Sequence, residues 1–138
     1  MPKIRCLITM GDPSGIGPEI IVKALNSKRI NGLADFSIIG DAWVFGRNQK
    51  SRIKNQESKI IDLENVARKN FEFGKVRAEY GRAAWEYLEK ALGLIKAKKA
   101  DCLVTCPINK EALKLAGCDC RGHTGYIAEY FKVKDEVM

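Results

Sequence analysis

The chain has 138 residues, 46% of them hydrophobic and 30% charged, with a formal net charge of +7. That length suits one compact domain burying roughly two thirds of its unfolded surface, and no apolar run approaches the roughly 20 residues of a membrane span. The basic residues are spread from Lys23 through Lys69 and onward instead of forming an arm, and no RNA-reading aromatic motif accompanies them, so neither nucleic acid nor membrane is expected as a partner. The opening residues lead straight into a strand-like run without a signal-type apolar core, which predicts a cytoplasmic protein. Five cysteines, Cys6, Cys102, Cys106, Cys118 and Cys120, are an odd number and read as reduced, mostly buried thiols.

Strand-like and helix-like segments alternate. Residues 4–10 form a β-rich run, and residues 18–25 are helical in pattern, with Ile20, Ile21, Ala24 and Leu25 apolar. A second strand is predicted over residues 36–40, after which Asp41 can cap a helix running to about Lys50. Residues 59–63 read as a short strand. The longest helix is predicted from Arg77 to about Lys98, with Ala84, Leu88, Ala91, Leu92 and Ile95 on one face. Residues 102–105 read as a buried strand containing Cys102 as a core residue. Asn109 then caps a helix through Ala116, which Gly117 stops. Residues 122–125 open a last helix over residues 126–131, and Val137-Met138 would begin a further strand. Trp43, Trp85, Tyr80 and Tyr87 sit at helical spacings that suit packing. This order of segments predicts an α/β fold, a mostly parallel sheet with helices on both faces. A crossover helix that does not return to the sheet leaves its unit unfinished, so residues 1–138 read as the front portion of something longer.

Two stretches carry chemistry. "GDPSGIGPE" joins the first strand to the first helix. Gly11 leaves the strand, Gly15 and Gly17 permit close backbone approach, and Pro18 suits the first helical position. The spacing matches neither a P-loop nor a dinucleotide fingerprint, so a plain strand–helix turn and a loop holding an anion at a helix N-terminus weigh equally. Asp12 is either a proton acceptor or metal ligand, or the residue that sets the turn before Pro13.

The second stretch is "TCPINKEALKLAGCDCRGHTGY", which holds the chain's one histidine. Its first loop also follows a strand, and in open α/β sheets ligands bind beyond the strands' carboxyl ends. His123 and Thr124 can both donate to a phosphate or hydroxyl. The competing reading makes Thr124 a helix cap and His123 a surface residue. Lys110 is either a phosphate contact or a solvated first-turn lysine. Cys106, Cys118, Cys120 and His123 lack the C-x-x-C knuckle of structural zinc sites, which argues against zinc or iron–sulfur binding.

"ITMGDPSGIGPEI", "GRAAWEYLEKAL" and "VTCPINKEALKLAG…GHT", in this order along nearly the whole chain, together resemble the 4-hydroxythreonine-4-phosphate dehydrogenase (PdxA) family of vitamin B6 (pyridoxine) synthesis. The resemblance implies an isocitrate/isopropylmalate dehydrogenase-like fold, a cleft between two α/β domains, and a homodimer. It implies oxidation of 4-phosphohydroxy-L-threonine by NAD, followed by decarboxylation, with a divalent metal (Zn, Mg or Co) polarising the alcohol. His123 and Thr124 match the family's substrate-binding His-Thr pair. Gly11, Asp12, Gly15 and Gly17 match its N-terminal signature, placed with Lys110 near the cleft. The family's three metal-binding histidines and most NAD contacts have no counterpart in this chain, so the 138 residues are expected to be an N-terminal fragment that does not turn over substrate alone. Gly125 stands where the family commonly has an acid, and Cys106 where it often has alanine. A related enzyme acting on D-threonate or D-erythronate 4-phosphate, and a non-catalytic truncated product or split subunit completed by a C-terminal chain, are the alternatives.

Overall fold

The computed structural model describes residues 2–47, 53, 58–118 and 121–134. The elements in chain order are β1 (Arg5–Thr9), α1 (Gly17–Leu25), α2 (Lys28–Asn31), β2 (Asp35–Gly40), α3 (Ala42–Arg47), β3 (Lys59–Asp62), α4 (Ala78–Lys96), β4 (Cys102–Thr105), α5 (Lys110–Leu115) and α6 (His123–Tyr130). The four strands form one sheet in the order β3-β2-β1-β4. Every pairing is parallel, with Cys6 opposite Phe36 on one side and Cys102 on the other, and Ser37 opposite Lys59. The predicted α/β architecture is therefore the observed one.

Cys6 through Met10 are all buried. Consecutive buried residues on a strand point to opposite faces, so β1 is covered on both sides, as parallel sheets with crossover helices require. In α1, Pro18 fills the first turn, the acidic Glu19 suits the helix's positive end, and Glu19 pairs with Lys23 one turn on at 2.8 Å. The helix buries Ile21, Val22 and Leu25. Ile20, expected on that apolar face, stands 38% exposed.

The 19-residue α4 buries Tyr80, Ala84, Tyr87, Leu88, Ala91 and Leu92 along one stripe. Gly81 lets it touch α5: a Cβ there would lie 2.1 Å from the Ala112 carbonyl oxygen. Tyr80 and Tyr87 are fully buried, and Trp43 stacks edge-on against Phe71 with ring centroids 4.9 Å apart, so the aromatic residues pack as expected. Among the described residues no helix is long and apolar enough to cross a membrane.

One element was not expected, and three expectations need correction. Helix α2 lacks an apolar stripe and was not foreseen; it buries no residue. Asp41 does not cap α3. Its carboxylate, 0% exposed, accepts from the Val66 amide at 3.2 Å and from the Tyr87 hydroxyl, while Asp62 Oδ1 takes the Ala42 amide at 3.1 Å. The strand β4 is not buried. It is the sheet edge, and Cys102 and Val104 face outward, Val104 being 51% exposed. Lastly, α6 begins at His123, three residues before the expected start. Val137 and Met138, and the expected end of α3 near Lys50, lie outside the described residues.

Candidate functional site at the strand carboxyl ends

β1 leads to β2 and β3 on one side and has β4 on its other side. The order of the sheet thus reverses between β1 and β4, and the loops leaving these two strands flank the position where open α/β sheets bind ligands. The structure brings those loops into contact. The Asp12 amide donates to the Pro107 carbonyl at 3.0 Å, and the Cys106 amide donates to the Thr9 carbonyl at 3.1 Å. Gly11 has φ +71°, and a Cβ there would lie 2.3 Å from the Pro107 carbonyl oxygen. Gly17 is as constrained, since a Cβ would meet the Met10 carbonyl oxygen at 2.0 Å and Cys106 Cβ at 3.1 Å. Two of the three glycines are there because a second backbone or side chain occupies their side-chain space.

Asp12 is buried, and its Oδ1 accepts from the Ser14 amide at 2.8 Å. This is an Asx turn. Burial raises the Asp12 carboxyl from its ordinary range, opposed by the Ser14 hydrogen bond. Asp12 thus sets the turn before Pro13, as one of the two sequence readings expected. The far side of the loop is tied down as well: Ser14 Oγ donates to the Lys75 carbonyl at 2.7 Å and the Gly74 amide to the Ser14 carbonyl at 2.8 Å. Sequence reasoning missed this anchor; the glycine of "EFGKV" at φ +76° was its only local trace. Gly15 is exposed at the rim.

The second motif is built on α5 and α6. Asn109 caps α5, its side chain accepting from the Ala112 amide at 2.9 Å, and Gly117 follows with φ +73°. Gly122, at φ +89°, precedes α6, with His123 as the first helical residue. The cap position of α6 is Gly122, so Thr124 stands inside the first turn and not at the cap. His123 is half-buried in an apolar recess with Trp85, Leu88, Ile108 and Leu113. Burial lowers its pKa, so the imidazole is neutral near pH 7, one nitrogen donating and the other accepting. Thr124 beside it is exposed. Lys110 Nζ lies 4.0 Å from the place a Cβ would take on Gly122, so the ammonium group stands at the entry to the His123 turn.

Residues 106–108 connect the two motifs. Cys106 and Pro107 touch the glycine loop, and Ile108 sits in the His123 recess. Among the described residues no hydrogen bond runs directly from the loop of residues 11–17 to His123 or Thr124. The start of α6 thus gathers a half-buried imidazole, an exposed hydroxyl and a nearby lysine around one turn.

Metal chemistry is not built in this way. Among the described residues no three His, Cys, Asp or Glu side chains gather, and Cys106 is buried, with its thiol pushed up to about 11 by that burial. Cys120 lies outside the described residues. The residues described here do not fit a divalent-metal site.

Residues 6–138 match the family described as "Pyridoxal phosphate biosynthetic protein PdxA". A relative from Fusobacterium nucleatum, provisionally named D-threonate 4-phosphate dehydrogenase, is 37% identical over 149 aligned positions that cover 96% of this chain and 45% of the relative. A similarly named protein from Halalkalibacterium halodurans is 37% identical over 144 positions, covering 93% of this chain and 43% of its own length. The crystal structure of a 4-hydroxythreonine-4-phosphate dehydrogenase from Burkholderia phymatum superposes with a TM-score of 0.87 at 31% identity, over 98% of this chain and 46% of that one. This chain spans a little under half the length of the relatives it matches. With the strand order, the paired loops and the sequence match running through the same residues, the chain belongs to the PdxA family.

Proposed function

We propose that this chain supplies the substrate-binding side of an NAD-dependent dehydrogenase acting on a phosphorylated hydroxy acid. The observation that carries the substrate order is that curated relatives 34–37% identical to this chain are named for D-threonate 4-phosphate, while solved structures named for 4-hydroxythreonine-4-phosphate are 30–34% identical. It puts D-threonate 4-phosphate first and 4-phosphohydroxy-L-threonine, with its role in vitamin B6 synthesis, second.

On this reading His123 and Thr124 hold the polar end of the substrate. The neutral imidazole donates one N–H to a substrate oxygen, the Thr124 hydroxyl donates another, and the Lys110 ammonium draws the anion towards the α6 turn. The glycine loop shapes the neighbouring wall through its backbone. When bound, NAD would accept the hydride of the substrate alcohol, and the β-keto acid so formed would lose carbon dioxide. NAD and a divalent metal are held by residues of a complementing C-terminal chain or a longer version of this one, in a homodimer or a two-chain complex.

The test measures NADH formation with both substrates, first by this chain alone and then by this chain mixed with the C-terminal half of the Fusobacterium nucleatum relative. The expected result is no turnover alone, and turnover of D-threonate 4-phosphate above 4-phosphohydroxy-L-threonine in the mixture. Turnover by the chain alone would overturn the incomplete-site reading, and the reverse preference would exchange the two substrates.

A further inference from the structure

Cys6 and Cys102 are direct register partners on the neighbouring parallel strands β1 and β4. Residues paired in this way point to the same face of the sheet. Neighbouring strands lie about 4.8 Å apart, inside the roughly 4.4–6.8 Å between Cα atoms that a disulfide spans. Both thiols are free. They differ in access: Cys6 is buried on a strand covered from both sides, whereas Cys102 is exposed on the sheet edge, two residues from the equally outward-facing Val104. A buried thiol beside an exposed one is the arrangement of a resolving and an attacking cysteine.

We infer that Cys6 and Cys102 form an oxidisable dithiol, a modification site that closes to a cross-strand disulfide on reaction with a low-molecular-weight disulfide such as oxidised glutathione. The Cys102 thiolate attacks one sulfur of glutathione disulfide, whose S–S bond breaks to release one glutathione thiolate. Cys6 then loses its proton and attacks Cys102 Sγ in the mixed disulfide, displacing the second glutathione. Two electrons pass from the two cysteines to one glutathione disulfide, which becomes two glutathione thiols. Burial first, and then the adjacent Cys102 thiol, raise the Cys6 pKa, so Cys6 is the poorer starting nucleophile and the closing step accelerates as pH rises. The bond would staple β1 to β4, the two strands whose loops flank the candidate site, and close a long stretch of chain.

The experiment treats the reduced 138-residue chain with oxidised glutathione, blocks remaining thiols by alkylation, and reads disulfide-linked peptides by mass spectrometry. The expected product lacks two hydrogens, links the peptide of Cys6 to that of Cys102, melts at a higher temperature than the reduced chain, and reverts with dithiothreitol. Because Cys102 and Cys106 fall in one tryptic peptide, Cys106→Ala must keep the link and Cys102→Ala must abolish it. Cys6→Ala should stop at glutathione bound to Cys102, and the exposed Cys102→Ala variant serves as the control for folding. Stable glutathione on Cys102 with Cys6 still alkylated in the unmutated chain, a link through another cysteine, or no reaction would each overturn the assignment.

Discussion

Gly17 shows how little freedom single residues have around the candidate site. A methyl group there would stand 2.0 Å from the Met10 carbonyl oxygen, a backbone atom that cannot rotate away. Gly17→Ala is expected to destabilise the fold by about 2–3 kcal/mol, the upper part of the overpacking range. Gly93→Ala, on the exposed side of the last turn of α4 with open space around it, should instead stabilise by about 0.5–1 kcal/mol. Urea denaturation of the two variants checks the contrast. His123 supplies a pH signature at the same scale. Its folded-state pKa lies below the ordinary value because of burial, so at mildly acidic pH the unfolded chain binds more protons than the folded one. Its contribution is therefore fully present above about pH 6.5 and is lost as pH falls through the lowered folded value. His123→Gln should flatten that part of the stability–pH curve.

At the scale of elements, the short helices depend on their ends. α5 has six residues, too few to persist by hydrogen bonding alone, and the Asn109 side chain satisfies one of its first free amides. Asn109→Ala should cost about 1 kcal/mol and Asn109→Asp much less, as thermal melts of both variants would show. Fraying at this end would also loosen residues 106–108, which touch the glycine loop and the His123 recess, so hydrogen exchange of the residue 11–17 amides should quicken in Asn109→Ala. β4 was misjudged at this same scale. Its Cys-Leu-Val-Thr run reads as interior, yet the strand lies at the sheet edge. Apolarity marks a strand for burial without saying which neighbours provide it.

Across the whole molecule, the Asp41–Tyr87 contact ties α4 to the turn between β2 and α3 through the core, 46 residues apart in sequence. Removing the phenol hydroxyl leaves a wholly buried carboxylate with one partner fewer. Tyr87→Phe is therefore expected to cost about 1–3 kcal/mol, measured as a fall in the denaturation midpoint with the slope unchanged. The chain matches a little under half of its relatives, yet within that span its four strands, their order and the two strand-end loops are already in place.

The sequence by itself determined whatever depends on neighbours along the chain. Alternating apolar runs and turn residues required the α/β layering, Pro18 and Asn109 marked helix starts, and Gly117 marked an end, because each acts on backbone groups within a few residues. The resemblance drawn from three short stretches was legible for the same reason: each is a local run of sequence. Only the tertiary structure decided that the Asp12 amide bonds across to Pro107, that Asp41 serves Tyr87 and Val66 while Asp62 caps α3, that Lys110 stands beside Gly122, and that Cys6 lies against Cys102. Those partners are brought together by sheet order and helix packing, which no local spacing encodes, and burial is a property of the assembled layers rather than of the strand that enters them.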